Sequence, residues 1–272
     1  MPATVNPEPI MSDTLSYEFS DNGVATVTLH ADGTQTVNEI LIAELTACLT
    51  ALSQNARLRA VVLKAQGSDF CTGQDERWQA RMLEHDQDHH FDEALELARL
   101  LQLVDRMPVP TIARVHGQTV GVGVGLIACC DLIVAHRDSR FAVPDVRAGL
   151  VPAMIAPYLV TQIGVSAARR YLLTGEHFSA QTAQQIGLVH ELGNDAAEIE
   201  QWCDIWLAAV LQNGPHALLT AKRLIASVAH RPIDDAMNSD LAHRLAHLHR
   251  HPEAEEGIRA QLESRLPRWR ST

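Results

Sequence analysis

Residues 110–135 read P-T-I-A-R-V-H-G-Q-T-V-G-V-G-V-G-L-I-A-C-C-D-L-I-V-A, and their order decides the architecture. Thr111 to Val115 is an aliphatic strand that runs into His116-Gly117. Four residues later Gly121-Val-Gly-Val-Gly125 opens an apolar helix that ends near Asp131. Glycines at a helix start let a ligand approach the backbone closely. The unpaired N–H groups and the dipole there favour negative charge, whether a phosphate or a developing oxyanion. Spacing separates the two. A dinucleotide fingerprint requires G-x-G-x-x-G, or alanine in the last place, directly after a strand. Counted from Gly121 the last place is Leu126, which fails. Counted from Gly123 it is Ala128, which passes, but the strand has ended at Val115, eight residues earlier. A Rossmann reading is weak.

A second segment supplies what the first lacks. Val61-Val62-Leu63 reads as a buried strand and is followed by Gly67-Ser-Asp-Phe-Cys-Thr-Gly-Gln-Asp75, a polar turn before a new helix. Two loops that present backbone N–H groups can hold one oxygen between two donors, which is an oxyanion hole.

Further motifs follow in order: F-C-T-G-Q-D (70–75), F-A-V-P-D-V-R-A-G-L-V-P (141–152) and L-L-T-G-E-H-F-S-A-Q-T-A-Q-Q-I-G-L-V (172–189). With these and the glycine helix, the chain resembles the crotonase, or enoyl-CoA hydratase/isomerase, superfamily from about Tyr17 to the C-terminus. The resemblance implies an α/β fold, a spiral of repeated ββα turns, with a C-terminal helical region used for trimerisation; hexamers are common in the family. The expected organisation is a loose tail over 1–14, a spiral core with the acyl-CoA site over 15–195, and a helical oligomerisation region over 196–272.

Composition agrees. A chain of 272 residues suits one α/β domain with an appendage. Hydrophobic residues make up 46% but aromatics only 4%, so the core is aliphatic. A net charge of −11 argues against nucleic acid as a partner. The cysteines, Cys48, Cys71, Cys129, Cys130 and Cys203, are odd in number and lack C-x-x-C spacing, so buried thiols in a reduced, cytoplasmic compartment are expected. The first residues lack a signal-peptide pattern, and no apolar run is long enough to span a membrane.

Val24–Leu29 alternates like a strand, and Ile40–Leu52 has helical periodicity. A strand is expected over 59–65, then a helical region from Asp75 to Asp105 interrupted by a mobile polar loop, Glu84-His-Asp-Gln-Asp-His-His90. Strand 111–115, the glycine helix and strand 132–135 follow. Beyond about Asp195 four helices are expected, over 197–211, 216–230, 233–249 and 254–266.

The family holds a thioester oxygen between two backbone N–H groups. The resemblance places these donors at Gln74 and Val122, where the family has a small residue and glycine. Hydratases carry two glutamates for adding water across C2–C3. One position is Gly125 here, and the other is Asp145. The first acid is therefore missing and the second is shorter by a methylene. One carboxylate can still serve if a single water supplies both hydroxyl and proton, or it can shuttle a proton between C2 and C4 as an isomerase does. A raised pKa is expected for Asp145 in a semi-apolar pocket.

Residues 94–115, the glycine helix and L-V-P-A-M-I-A-P-Y-L-V (150–160) carry a narrower resemblance. It is to the branched glutaconyl-CoA hydratases, which act on 3-methylglutaconyl-CoA in leucine breakdown and isohexenylglutaconyl-CoA in terpene breakdown. Such a substrate brings its own carboxylate, and Gly125 would leave it room by removing a repelling charge. A cation is then needed. Arg77 and Arg81 share a helix face, Arg147 lies two residues past Asp145, and Arg77 is nearest the loop. Asp75, Arg77, Gly121 and Gly125 complete the expected substrate-binding set. His243 and His247 stand at i, i+4, but no third ligand with metal spacing follows them, so no metal is expected. His116 is expected to hydrogen-bond locally, with a role near the thioester as the alternative.

The sequence thus predicts a lyase that hydrates a branched, glutaconyl-type α,β-unsaturated acyl-CoA. It would use no cofactor beyond coenzyme A as substrate carrier, and would form a homotrimer or hexamer. The alternatives are a single-acid enoyl-CoA isomerase and a weakly active acyl-CoA-binding protein.

Overall fold

The computed structural model describes residues 12–30, 36–229 and 231–270. Most of the expected tail lies outside them. Four ββα turns follow one another. The first is β2 (Val24–Leu29), β3 (Thr36–Val37) and α1 (Glu39–Ser53), after an edge strand β1 (Leu15–Phe19). The second is β4 (Ala60–Ala65), β5 (Gly73–Gln74), α2 (Glu76–Met82) and α3 (Gln87–Asp105). The third is β6 (Thr111–Val115), β7 (Gln118–Val120) and α4 (Val122–Ala128). The fourth is β8 (Leu132–His136), β9 (Arg140–Ala142) and α5 (Ala156–Thr174). Then come β10 (Phe178–Ser179), α6 (Ala180–Gln185), β11 (Glu191–Gly193), α7 (Ala196–Gln212), α8 (Pro215–Val228), α9 (Asp235–Leu248) and α10 (Pro252–Leu262).

The first strand of each turn enters one six-stranded sheet, in the order β1-β2-β4-β6-β8-β11, parallel except for β1. The short second strands make smaller sheets, β3-β5 and β10-β9-β7. The chain therefore winds as the spiral that the resemblance implies.

Both faces of the large sheet are covered, which is why its strands read as near-continuous apolar runs. Val27, Leu63, Ala113, Val115, Ile133 and Ala135 pack into the larger core with α1, α3 and α4. Val24, Ala60, Val62, Ile112 and Val134 alternate with them to the opposite face and meet Ile199, Cys203 and Val210 of α7. Helix α7 is therefore a layer of this core. The helical region expected from residue 196 thus contributes its first helix to the core, where it covers the second apolar face of the sheet.

Helix starts follow local chemistry. Asn38, Asp86, Asp195 and Asp234 cap α1, α3, α7 and α9, each side chain accepting from the N–H three residues on. Asp86 also corrects the loop expected over 84–90. With its cap in place α3 begins at Gln87, and the connection from α2 shrinks to 83–86. All five cysteines are free and buried.

Candidate functional site

Backbone hydrogen bonds stitch the two glycine-rich loops together. Phe70 and Cys71 N–H both donate to Gln118 O at 3.0 Å, and Val120 N–H donates back to Cys71 O at 2.8 Å. The Asp69 carboxylate accepts from Gln118 N–H at 2.7 Å. The His116 Nε2 lies 2.9 Å from Gly67 O, a local tie between the loops, and His116 lines neither cavity described below. Its alternative role beside the thioester has no support in this placement.

This stitching sets the tip of each loop. In the parallel pair β3-β5, Asp75 N–H donates to Val37 O at 3.1 Å. The alternation of the ladder then turns the N–H of Gln74 away from β3. Val122 provides the first N–H of α4, which has no carbonyl a turn earlier to meet. Helix α4 packs against β5, so both donors belong to one neighbourhood.

Each glycine of the G-V-G-V-G run has its own reason. Gly121 adopts φ 56°, ψ −116°, a conformation that L side chains avoid, and so turns the chain into α4. Gly123 sits against Cys71, whose Cβ would lie 2.5 Å from any Cβ added there. Gly123→Ala is expected to destabilise the fold by about 1–3 kcal/mol through overpacking, read as a lowered denaturant midpoint at unchanged slope. Gly125 meets Ile155: an added Cβ would be 2.1 Å from its Cγ2 and 2.5 Å from its Cβ. The place of the missing first acid is therefore filled by a side chain from the start of α5. The room expected there for a substrate carboxylate does not exist in this packing.

Two cavities flank Gln74. A polar one of about 730 Å³ is lined by Asp75, Arg77, His30 and Asn38 among others. The second, about 580 Å³, carries Trp78, Leu97, Val122, Leu150, Met154 and Ile155 on a mostly apolar wall. Its titratable groups among the described lining residues are His90, Glu93 and Asp145.

Asp145 opens a short 3-10 turn, Asp145–Ala148, and is half-buried. Burial is the main cause that raises its carboxyl pKa above the ordinary value; a hydrogen bond from its own backbone N–H opposes it. Of the predicted site residues, Asp145, Gln74 and Val122 therefore share one cavity. Asp75 and Arg77 lie on the other cavity, and the Asp75 carboxylate is engaged in capping α2 through Trp78 N–H at 3.0 Å. The candidate cations do not reach the acid. Arg81 is paired with Glu39, and Arg147 is exposed outside the apolar cavity.

Residues the sequence reading passed over define the rest of this wall. Trp78 Nε1 donates to Glu93 Oε1 at 3.0 Å. His85 and His90 approach the same carboxylate, at 3.4 and 3.9 Å. Their only trace in the sequence is the spacing His85-x4-His90-x2-Glu93, whose two histidines fall inside the segment read as a mobile loop and whose glutamate lies just beyond it.

Comparison with known proteins assigns the class. The enoyl-CoA hydratase/isomerase family matches residues 20–272. An enoyl-CoA hydratase structure from Shewanella pealeana is 32% identical and covers 94% of this chain and 96% of its own, with a TM-score of 0.91. One from Mycobacterium smegmatis is 30% identical, with 95% and 99% covered and a TM-score of 0.86. An enoyl-CoA hydratase/isomerase from Marinobacter aquaeolei is 27% identical, with 95% and 100% covered and a TM-score of 0.89. This chain belongs to the enoyl-CoA hydratase/isomerase family and has the crotonase fold. Among the described residues no helix is long and apolar enough to cross a membrane.

Proposed function

We propose that the protein adds water to the C2–C3 double bond of an acyl-CoA, with Asp145 as its one acid–base group. The observation that carries this is the sharing of one cavity by Asp145, Gln74 and Val122. The thioester oxygen would sit between the N–H groups of Gln74 and Val122, one such donor being worth roughly 3–4 kcal/mol of barrier. The polar cavity beyond Gln74 would take the carrier, with Arg77 as a cation on its wall. Coenzyme A is then part of the substrate, and the residues require no further cofactor for this reaction.

The steps follow from one carboxylate. Ionised Asp145 accepts a proton from water as the water oxygen bonds to C3. Electrons move to the thioester oxygen, and the proton then passes from Asp145 to C2. Hydroxyl and proton arrive from the same side, because a single group handles both.

The acyl group follows from charge. A glutaconyl-type substrate, as the narrower resemblance implies, brings a second carboxylate. Among its described lining residues this cavity has no arginine or lysine, and its histidine stands beside Glu93. Desolvating an unpaired carboxylate there is costly, so a neutral, apolar chain is the better fit. Crotonyl-, octenoyl-, 3-methylglutaconyl- and isohexenylglutaconyl-CoA should be compared by kcat/KM, together with a 3-enoyl-CoA for isomerisation. The neutral 2-enoyl substrates are expected to lead by tenfold or more. A lead for the glutaconyl pair would overturn the acyl assignment. Preference for the 3-enoyl substrate would make the single acid an isomerase, and binding without turnover would make the chain an acyl-CoA-binding protein.

Self-association in the cytoplasm belongs to the same reading. Ile225, Ile233, Leu245 and Leu262 of the C-terminal segment are 68, 87, 55 and 81% exposed. Apolar surface of this kind is what a trimer or hexamer would cover, and light scattering reads the mass directly.

A further inference from the structure

We propose that His85, His90 and Glu93 form a site for a divalent transition metal of the zinc type on the wall of the apolar cavity. This goes beyond the hydration reading and does not require it, but it bears on the acyl group: a bound metal would give this wall the cation that its own side chains lack. His85 lies in the short connection between α2 and α3, whereas His90 and Glu93 are one turn apart on a single face of α3. One ligand atom from each lies within 4.8 Å of the other two.

Three observations favour a metal over a simple ion pair. The first is spacing. Around tetrahedral zinc, with bonds of about 2.0–2.1 Å, neighbouring ligand atoms stand roughly 3.3 Å apart. His85 Nδ1 is 3.4 Å from Glu93 Oε1, and His90 Nδ1 is 3.9 Å from Oε2, so small side-chain adjustments close the set. The second is an unmet group. His85 Nδ1 is enclosed yet makes no hydrogen bond, since its approach to Glu93 is poorly directed. In the neutral ring tautomer that leaves this nitrogen unprotonated, a cation would give it the partner it lacks. The third is outer support. Trp78 Nε1 holds Glu93 Oε1, and the His89 ring lies 4.5 Å from the His85 ring, so the carboxylate and one imidazole are both positioned.

The donor set selects the ion. Two imidazoles and one carboxylate suit zinc and its neighbours, whereas calcium and magnesium take oxygen ligands. Three protein ligands leave a further coordination position. The metal would fasten the 83–86 connection to α3 and stiffen the wall that Trp78, His90 and Glu93 form.

The test uses the whole 272-residue chain, stripped with chelator, and zinc chloride alone, with no substrate, so that its outcome is separate from that of the turnover panel. Calorimetry at neutral pH is expected to show a tightest event of one zinc per chain, with a rise in Tm. His85→Ala, His90→Ala and Glu93→Gln should each weaken that event at least tenfold and remove the rise in Tm. His243→Ala with His247→Ala, which removes the paired imidazoles of α9, should leave both unchanged. Unaltered zinc binding in the first three variants, loss in the α9 variant, or no binding by the wild-type chain would overturn the proposal. Cobalt(II) on the wild-type chain guards against misfolded variants. An intense visible spectrum of four-coordinate character is expected, and a weak octahedral one would overturn the site.

Discussion

Asp145→Asn is expected to lower turnover of the best enoyl-CoA by roughly 100-fold or more while acyl-CoA binding and the melting transition persist. The amide keeps the shape of the side chain and removes its capacity to take a proton from water. The pH profile adds a second signature. Burial raises the Asp145 pKa, so the carboxyl stays protonated, and inactive as a base, to higher pH than an ordinary aspartate. Activity should therefore fall as pH drops through that raised value, and the limb should be missing from the residual rate of the asparagine variant. The stability sign runs the other way. A raised folded-state pKa favours the fold below the unfolded value, and that contribution is lost as pH rises through the folded one. Asp145→Asn should accordingly be no less stable than the wild-type protein at neutral pH. Near-normal hydration by this variant would move the chemistry to another residue.

Gly125→Glu has the largest expected effect on the fold. Restoring the missing glutamate drives a Cβ to 2.1 Å from Ile155 Cγ2 and buries a carboxylate beside an apolar wall. Overpacking alone costs about 1–3 kcal/mol, and the unpaired charge adds to it. The single variant should unfold at clearly lower denaturant and lose turnover of neutral and carboxylated substrates alike. Adding Ile155→Gly removes the two clashing atoms, and the Cα of residue 155 stands 3.6 Å from the new Cβ, an ordinary contact. The double variant should regain stability relative to the single one, and its hydration of crotonyl-CoA should rise as a second acid enters the site. A stable single variant would show that Ile155 does not fill this place.

The parts legible in the sequence were those written in local chemistry. The strand at 111–115, the glycine helix and the helix over 40–52 are legible from apolar runs, glycines and periodicity. The short second strands β3, β5, β7 and β9 have too few side chains to show an alternation, yet they aim the loop tips at the site. Contacts across the chain were also hidden. Nothing near Gly125 says that Ile155, thirty residues on, will occupy its side-chain space. The polar run 84–90 read as loop because its charges overwhelm any helical period, although Asp86 is a capping residue by type. Asp145 was legible only through its motif, and the structure adds its neighbours.

The N–H groups turned outward at Gln74 and Val122 belong to peptide bonds, and no codon specifies them. Every residue type except proline carries that group, so the identities at 74 and 122 are free to drift. Glutamine and valine can stand where the family has a small residue and glycine without erasing a donor. A side-chain scan of this protein would therefore pass over the two positions with modest scores. Only replacing an amide by an ester, one position at a time, would expose what the main chain contributes.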